Sequence, residues 1–241
     1  MKIMEKIMHK QANRAKVDPI TIVCMGDSVT EGCFECYINE QGNIDTVFER
    51  EHSYSARLQE LLAKLYPTVQ IHVINSGFSG ARLPYAIDVL ERDVLRFSPD
   101  LVVVSYGLND TGFGREGVEA YGERLSAIFE KIKQSGAEII FLTQNYMCKT
   151  VSHQLTEPAL RNTAVSLCER QNTGLMDLYV DKAKEVCRRH HVEICDLYET
   201  WKAMDQCGVN TTELLSNKLN HPIREYHYYI AVKLMEKMLG L

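Results

Sequence analysis

Five short apolar runs rich in β-branched residues recur along this chain, with helical stretches between them. No other feature restricts the fold as much. The runs are ITIVCMG at 20–26, QIHVIN at 70–75, DLVVVSY at 100–106, EIIFLTQ at 138–144 and VEICDL at 192–197. Most are continuously apolar rather than alternating, the pattern of strands buried on both faces of a parallel sheet. Helical periodicity fills the intervals at 54–66, 84–97 and 117–136, predicts two further helices across 157–190, and returns at 225–239. Alternation of this kind predicts an α/β doubly wound sheet with helices on both faces. With 241 residues, six prolines, no Ser/Gly-rich linker and no internal repeat, one domain at 19–241 is the simplest organisation. Residues 1–18 are expected to form an amphipathic helix packed on that domain, with Ile3, Met4, Ile7 and Met8 on one face. Lysines interrupt that face, so it lacks the unbroken apolar stretch of a secretory signal. The segment 33–53 is the longest connection without clear periodicity, and such loops often form the mouth of a site.

In open parallel sheets, ligands bind beyond the carboxyl ends of the strands, where the winding reverses. Functional side chains should therefore follow several strand ends. The first strand ends in Gly26-Asp27-Ser28, the second in Asn75-Ser76-Gly77 and the third in Gly107-Leu108-Asn109-Asp110. Any one of these is an ordinary turn composition; together, with a serine on the first, they form a chemical set. A serine hydroxyl is a poor nucleophile without a base, and its attack on an ester carbonyl creates an oxyanion. The N–H groups of Ser28 and Gly77 and the amide of Asn109 are candidates to bind that oxyanion. Of eight histidines, His221 has the best position for the base. It lies in a loop just before the last helix, followed by Pro222, where the chain can cross the rim towards Ser28.

Composition narrows the alternatives. A net charge of −5 gives no electrostatic footprint for nucleic acid or anionic membrane, and no partner of either kind is expected. No run approaches the roughly 18 apolar residues of a membrane span. The eight cysteines are scattered and read as reduced thiols in a cytoplasmic protein. Cys33 and Cys36 have CxxC spacing, but no second pair completes a zinc site, so no metal is expected. GFGREG at 112–117 formally matches a dinucleotide fingerprint, yet it follows the third strand rather than the first.

Gly26-Asp27-Ser28, Gly77, Gly107-Leu108-Asn109-Asp110 and His221-Pro222 stand in the order and approximate places of the four blocks of the SGNH hydrolases, also called GDSL-type lipases/esterases. The chain resembles that family from residue 20 to 240. The resemblance implies a single flavodoxin-like three-layer α/β/α domain with a five-stranded, mainly parallel sheet. It implies hydrolysis of acyl esters without a cofactor, with Ser28 as nucleophile, His221 as general base, and Ser28 N–H, Gly77 N–H and Asn109 as the oxyanion hole. Within the family the chain is most similar to small bacterial esterases of acetylated carbohydrates or other short acyl esters. The partner is then a small-molecule ester, with homo-oligomerisation left open. A weakly active or non-catalytic carbohydrate- or acyl-binding protein and an acyltransferase are the alternatives.

One position departs from the family pattern. An aspartate usually stands three residues before the histidine, and here Lys218 does. Three outcomes are open: a backbone carbonyl orients His221 and leaves a working dyad, the favoured one; a distant acid such as Asp196 or Asp205 folds in beside it; or much of the hydrolytic power is lost. Asp27 and Asp110 are expected to bond loop N–H groups and stiffen the rim. With an unperturbed base, activity should rise through pH ~6.5.

Overall fold

The computed structural model describes residues 1–241. Its elements in chain order are α1 (Lys2–Ala12), β1 (Ile20–Gly26), α2 (Ser28–Glu31), β2 (Cys33–Ile38), β3 (Ile44–Phe48), α3 (Tyr54–Leu65), β4 (Ile71–Gly77), α4 (Leu83–Asp93) and β5 (Leu101–Ser105). The chain continues through α5 (Val118–Gln134), β6 (Glu138–Leu142), α6 (Pro158–Asn172), α7 (Leu175–Arg189), β7 (Glu193–Cys195), α8 (Leu197–Gln206) and α9 (Arg224–Leu239). Five strands form one sheet in the order β4-β1-β5-β6-β7, and every pairing is parallel. Reversal of winding at β1 places its carboxyl end between those of β4 and β5.

Side-chain alternation along the strands divides the interior into two cores. In β1, Ile22 and Cys24 enter one core and Val23 and Met25 the other; in β5, Leu101 and Val103 oppose Val102 and Val104. The first core is completed by α1, α3, α8 and α9, through side chains such as Ile7, Leu58, Trp201 and Leu234. The second is completed by α4 and α5, with Leu90 and Phe129. Helix α7 contributes to both cores. Three layers result, with continuously apolar strands between two helical faces. Helix α1 buries Ile3 and Ile7, whereas Met8 on the same predicted face is 56% exposed.

Two features differ from the sequence expectation. Segment 33–53, predicted as a connection, holds the antiparallel β2–β3 hairpin outside the main sheet. Its turn is local: Asn39 Oδ1 accepts the N–H groups of Gln41 and Asn43. The strand register slips between Cys33 and Cys36, a bulge that re-aims the backbone there. The last sheet strand is shorter than its apolar run, because Asp196 accepts the N–H of Glu199 and starts α8 at once.

Candidate active site

Ser28 opens the four-residue helix α2 directly beyond β1. Asp27 caps that helix, with Oδ1 accepting the Val29 N–H at 3.0 Å, which turns the chain sharply and brings Ser28 to the rim. Helix α2 is held from both sides. Thr30 Oγ1 meets Tyr54 OH at 2.8 Å, and Asn75 Nδ2 donates to the Thr30 carbonyl at 2.8 Å.

His221 is presented by a tightly bonded loop. Asn217 Oδ1 accepts the N–H groups of Leu219, Asn220 and His221, at 2.9–3.0 Å. Ser216 N–H and Ile223 N–H close the loop onto the carbonyls of His221 and Leu214. The neighbouring chain adds Asn145 Nδ2 to the Asn220 carbonyl and Cys148 N–H to that of Leu219. His221 Nε2 then stands 2.9 Å from Ser28 Oγ, and both residues are buried.

The other ring nitrogen, Nδ1, lies 2.8 Å from the Phe34 carbonyl. A carbonyl oxygen only accepts, so Nδ1 carries the proton and Nε2 offers its lone pair to the serine hydroxyl. Phe34 sits within the bulged stretch of β2, where the register slip aims its carbonyl. Arg224 clamps the hairpin: its guanidinium bonds both oxygens of Glu35 at 2.7 and 2.9 Å and both of Glu49 at 2.7 and 2.6 Å. The same guanidinium lies 4.4 Å from the Phe34 ring centre.

No carboxylate orients the imidazole. Lys218 occupies the left-handed region at φ +57°, and its Nζ pairs with Glu213 at 2.9 Å. Asp196 caps α8 and pairs with Lys184, and Asp205 pairs with Lys149. Burial pulls the His221 pKa down to about 4, opposed by the Phe34 carbonyl and the Glu35 charge.

The strand ends converge as the sheet requires, with Gly26 opposite Gly77 on one side and Ser105 on the other. Asn109 donates one amide hydrogen to the Ala81 carbonyl at 3.1 Å, leaving the second without a partner. Gly77 departs from its expected role. Its N–H is bonded to Asn75 Oδ1 at 2.9 Å, and a Cβ there would lie 2.3 Å from Glu31 N. Glycine is needed at 77 so that α2 can pack on β4. Three residues on, Gly80 has φ +76° with open space around its Cα, and its N–H has no partner. The preceding amide, Ser79 N–H, is bonded to Glu31 Oε2 at 2.6 Å. Gly80 was not among the expected site residues; the sequence signal for it is a second glycine three residues after the one that ends the strand.

Asp27 and Asp110 each bond a backbone amide, of Val29 and Leu83, both at 3.0 Å. Burial raises their carboxyl pKa values to about 7 and about 6. Phe34 and Tyr54 are fully buried against His227. GFGREG forms part of two short 3-10 turns, with no strand-to-helix turn to cradle a dinucleotide. No helix is long and apolar enough to cross a membrane.

A family model for the GDSL-like Lipase/Acylhydrolase family matches residues 24–227. An acetylxylan esterase of Xylanibacter ruminicola is 31% identical over 102 residues, which is 40% of this chain and 18% of that protein. The chain thus spans less than a fifth of the length of this relative. Among solved structures, the lipase/acylhydrolase from Enterococcus faecalis superposes with a TM-score of 0.67 at 22% identity, covering 92% of this chain and 96% of that one. An acetylxylan esterase from Geobacillus stearothermophilus gives 0.65 at 20% identity, covering 92% and 94%.

Proposed function

The chain belongs to the GDSL-like Lipase/Acylhydrolase family, and we propose that it is a carboxylic ester hydrolase that cleaves short acyl esters, acetyl above all, through a Ser28–His221 dyad. The observation that carries this reading is the contact of 2.9 Å between Ser28 Oγ and His221 Nε2, on a ring whose far nitrogen is already engaged. Ser28 Oγ attacks the ester carbonyl while Nε2 takes its proton. Phe34 O then faces the Nδ1–H of an imidazolium and stabilises it in the part usually taken by an acid. His221 protonates the departing alcohol, and water resolves the acyl-enzyme by the same route.

The developing oxyanion is bound by Ser28 N–H, the free Asn109 amide hydrogen and Gly80 N–H, which takes the place expected of Gly77. Donors already fixed and free of protein partners stabilise charge without reorganising, and one such donor is worth roughly 10²–10³ in rate. Carbohydrate acetyl esters are the favoured substrate class, supported by the acetylxylan esterases among the similar proteins. The non-catalytic alternative rested on Lys218; the Phe34 carbonyl, which orients the ring in place of an acid, supports the catalytic reading.

The test is hydrolysis of p-nitrophenyl acetate by the native protein and by Ser28→Ala. The reading expects a loss of about 10³-fold or more in kcat. Undiminished turnover by Ser28→Ala would exclude the dyad. An organophosphate should inactivate the native protein with one adduct on Ser28.

A further inference from the structure

Beyond the ester-binding rim, two arginines approach the same turn, and neither forms an ion pair. Arg82 follows Ala81, whose carbonyl holds Asn109. Arg170 reaches the same turn from α6, with Nη1 at 3.5 Å from Thr111 Oγ1. Both guanidinium groups converge on Gly112: a methyl group on its Cα would lie 2.9 Å from Arg82 Nη2 and 3.7 Å from Arg170 Nη1. Gly112 is itself bonded to Asn109, its N–H donating to that carbonyl at 3.1 Å. The arginine pair is therefore tied through two hydrogen bonds to a residue of the proposed oxyanion site.

Neither arginine forms an ion pair, and Arg82 donates no hydrogen bond to protein. Arg50, Arg57, Arg92, Arg189 and Arg224, by contrast, pair with carboxylates. Asp110, the buried carboxyl of this rim, accepts from Leu83 N–H and feels the Arg82 charge without an ion-pair contact. Arg82 is held in place by its guanidinium, 4.7 Å over the Phe113 ring centre, which leaves its N–H edge free. Together with exposed Phe78, stacked on Tyr85, it lines a cavity of about 290 Å³ that also includes Gly80. Burial and the like charge of Arg82 hold Arg170 below its usual pKa, against the opposing charge of Glu169.

We propose that Arg82 and Arg170 form a subsite for an anionic group, carboxylate or phosphate, carried by the ester substrate, with the Phe78–Tyr85–Phe113 surface beneath its apolar part. The proposal rests on the esterase reading above. Planar guanidinium forks match carboxylate and phosphate oxygens, and aromatic faces pack on the apolar side of a sugar ring. The substrate class is thus narrowed from acyl esters to acyl esters of acidic carbohydrates or sugar phosphates.

The test compares kcat/KM for an acetylated methyl glucuronoside, an acetylated sugar phosphate and the matching neutral acetylated methyl glucoside. The native enzyme is expected to favour at least one charged ester by about tenfold, and the favoured arm tells carboxylate from phosphate. That ratio should fall towards one in Arg82→Gln with Arg170→Gln, and also in the native enzyme as salt rises from about 20 mM to about 500 mM. The salt series needs no variant to fold. A native ratio near one, or a ratio unchanged in the double variant and at high salt, would overturn the subsite. Failure of the esterase reading looks different: Ser28→Ala would then still hydrolyse the neutral ester.

Discussion

His221 Nδ1 donates to the backbone carbonyl of Phe34 at 2.8 Å, at the place where a family aspartate would otherwise hold the ring. The carbonyl fixes the tautomer as well as a carboxylate does, but brings a dipole rather than a full charge. In the proposed mechanism an imidazolium formed during attack is therefore less stabilised than in a complete triad, and catalysis would lean correspondingly on the oxyanion donors and on the rigidity of the hairpin that presents Phe34.

Restoring an acid at the family position should not help. In Lys218→Asp, Nδ1 remains engaged by the Phe34 carbonyl, so the new carboxylate finds no free imidazole N–H to accept. Asp tolerates the backbone at φ +57°, so the fold should persist. The expected kcat on p-nitrophenyl acetate lies within about threefold of native. A gain above tenfold would show that the carbonyl is an incomplete substitute within reach of repair.

Arg224 should matter through kcat. It bridges Glu35 and Glu49, fixing the two strands whose bulge aims the Phe34 carbonyl. Arg224→Met keeps much of the stem over the Phe34 ring but removes the bridge. A fall of about tenfold in kcat with KM within threefold is expected from a loosened ring. Arg224→Lys should recover only part of it, because one ammonium cannot bond two carboxylates in the same planar fork. Native kcat in both variants would separate the clamp from catalysis.

The acidic limb of the rate profile should lie far below that of a free imidazole. The pKa of His221 is pulled down to about 4 by burial, so the ring is neutral, and able to take the serine proton, at all pH values above that. Protonation as pH falls through about 4 removes the base and the rate with it. Measured kcat/KM for a neutral ester between pH 3.5 and 8 should stay level down to about pH 5. A midpoint near 6.5 would mean that the imidazole is solvated in the working enzyme.

Gly77 and Gly80 should fail in different ways. A methyl group at 77 collides with the backbone of α2, so Gly77→Ala should cost about 1–3 kcal/mol of stability, read as a lower Tm. At 80 there is room for a methyl group, and the φ of +76° alone costs about 1 kcal/mol. If Gly80 supplies an oxyanion donor, relaxing that backbone in Gly80→Ala lowers kcat by more than its small loss of Tm accounts for. Equal Tm losses with unchanged kcat in Gly80→Ala would take its amide out of the mechanism.

The amino-acid letters carried the architecture because burial imposes it locally. Continuously apolar runs separated by helical periods have few ways to cover both faces of a sheet other than parallel winding. They also carried the positions of Ser28 and His221, since a small polar cluster after a strand and a histidine before the last helix are readable without coordinates. At Gly77 they suggested an oxyanion donor, whereas its N–H is bonded to Asn75 and the glycine lets α2 pack on β4. Helix α8 and the β2–β3 hairpin were missed because a capping aspartate and an Asn-rich turn decided them over a few residues, below the reach of periodicity.

What orients the histidine was decided by the tertiary structure alone. Every residue has a carbonyl, so no letter distinguishes Phe34 from its neighbours; only the register slip in β2 and the Arg224 clamp aim that one. The pairing of Arg82 with Arg170, 88 positions later, is equally invisible in sequence. Backbone dipoles and unpaired charges acquire meaning from direction and from what fails to lie beside them. Those are properties of the folded chain, whereas hydrophobic pattern is a property of the chain itself.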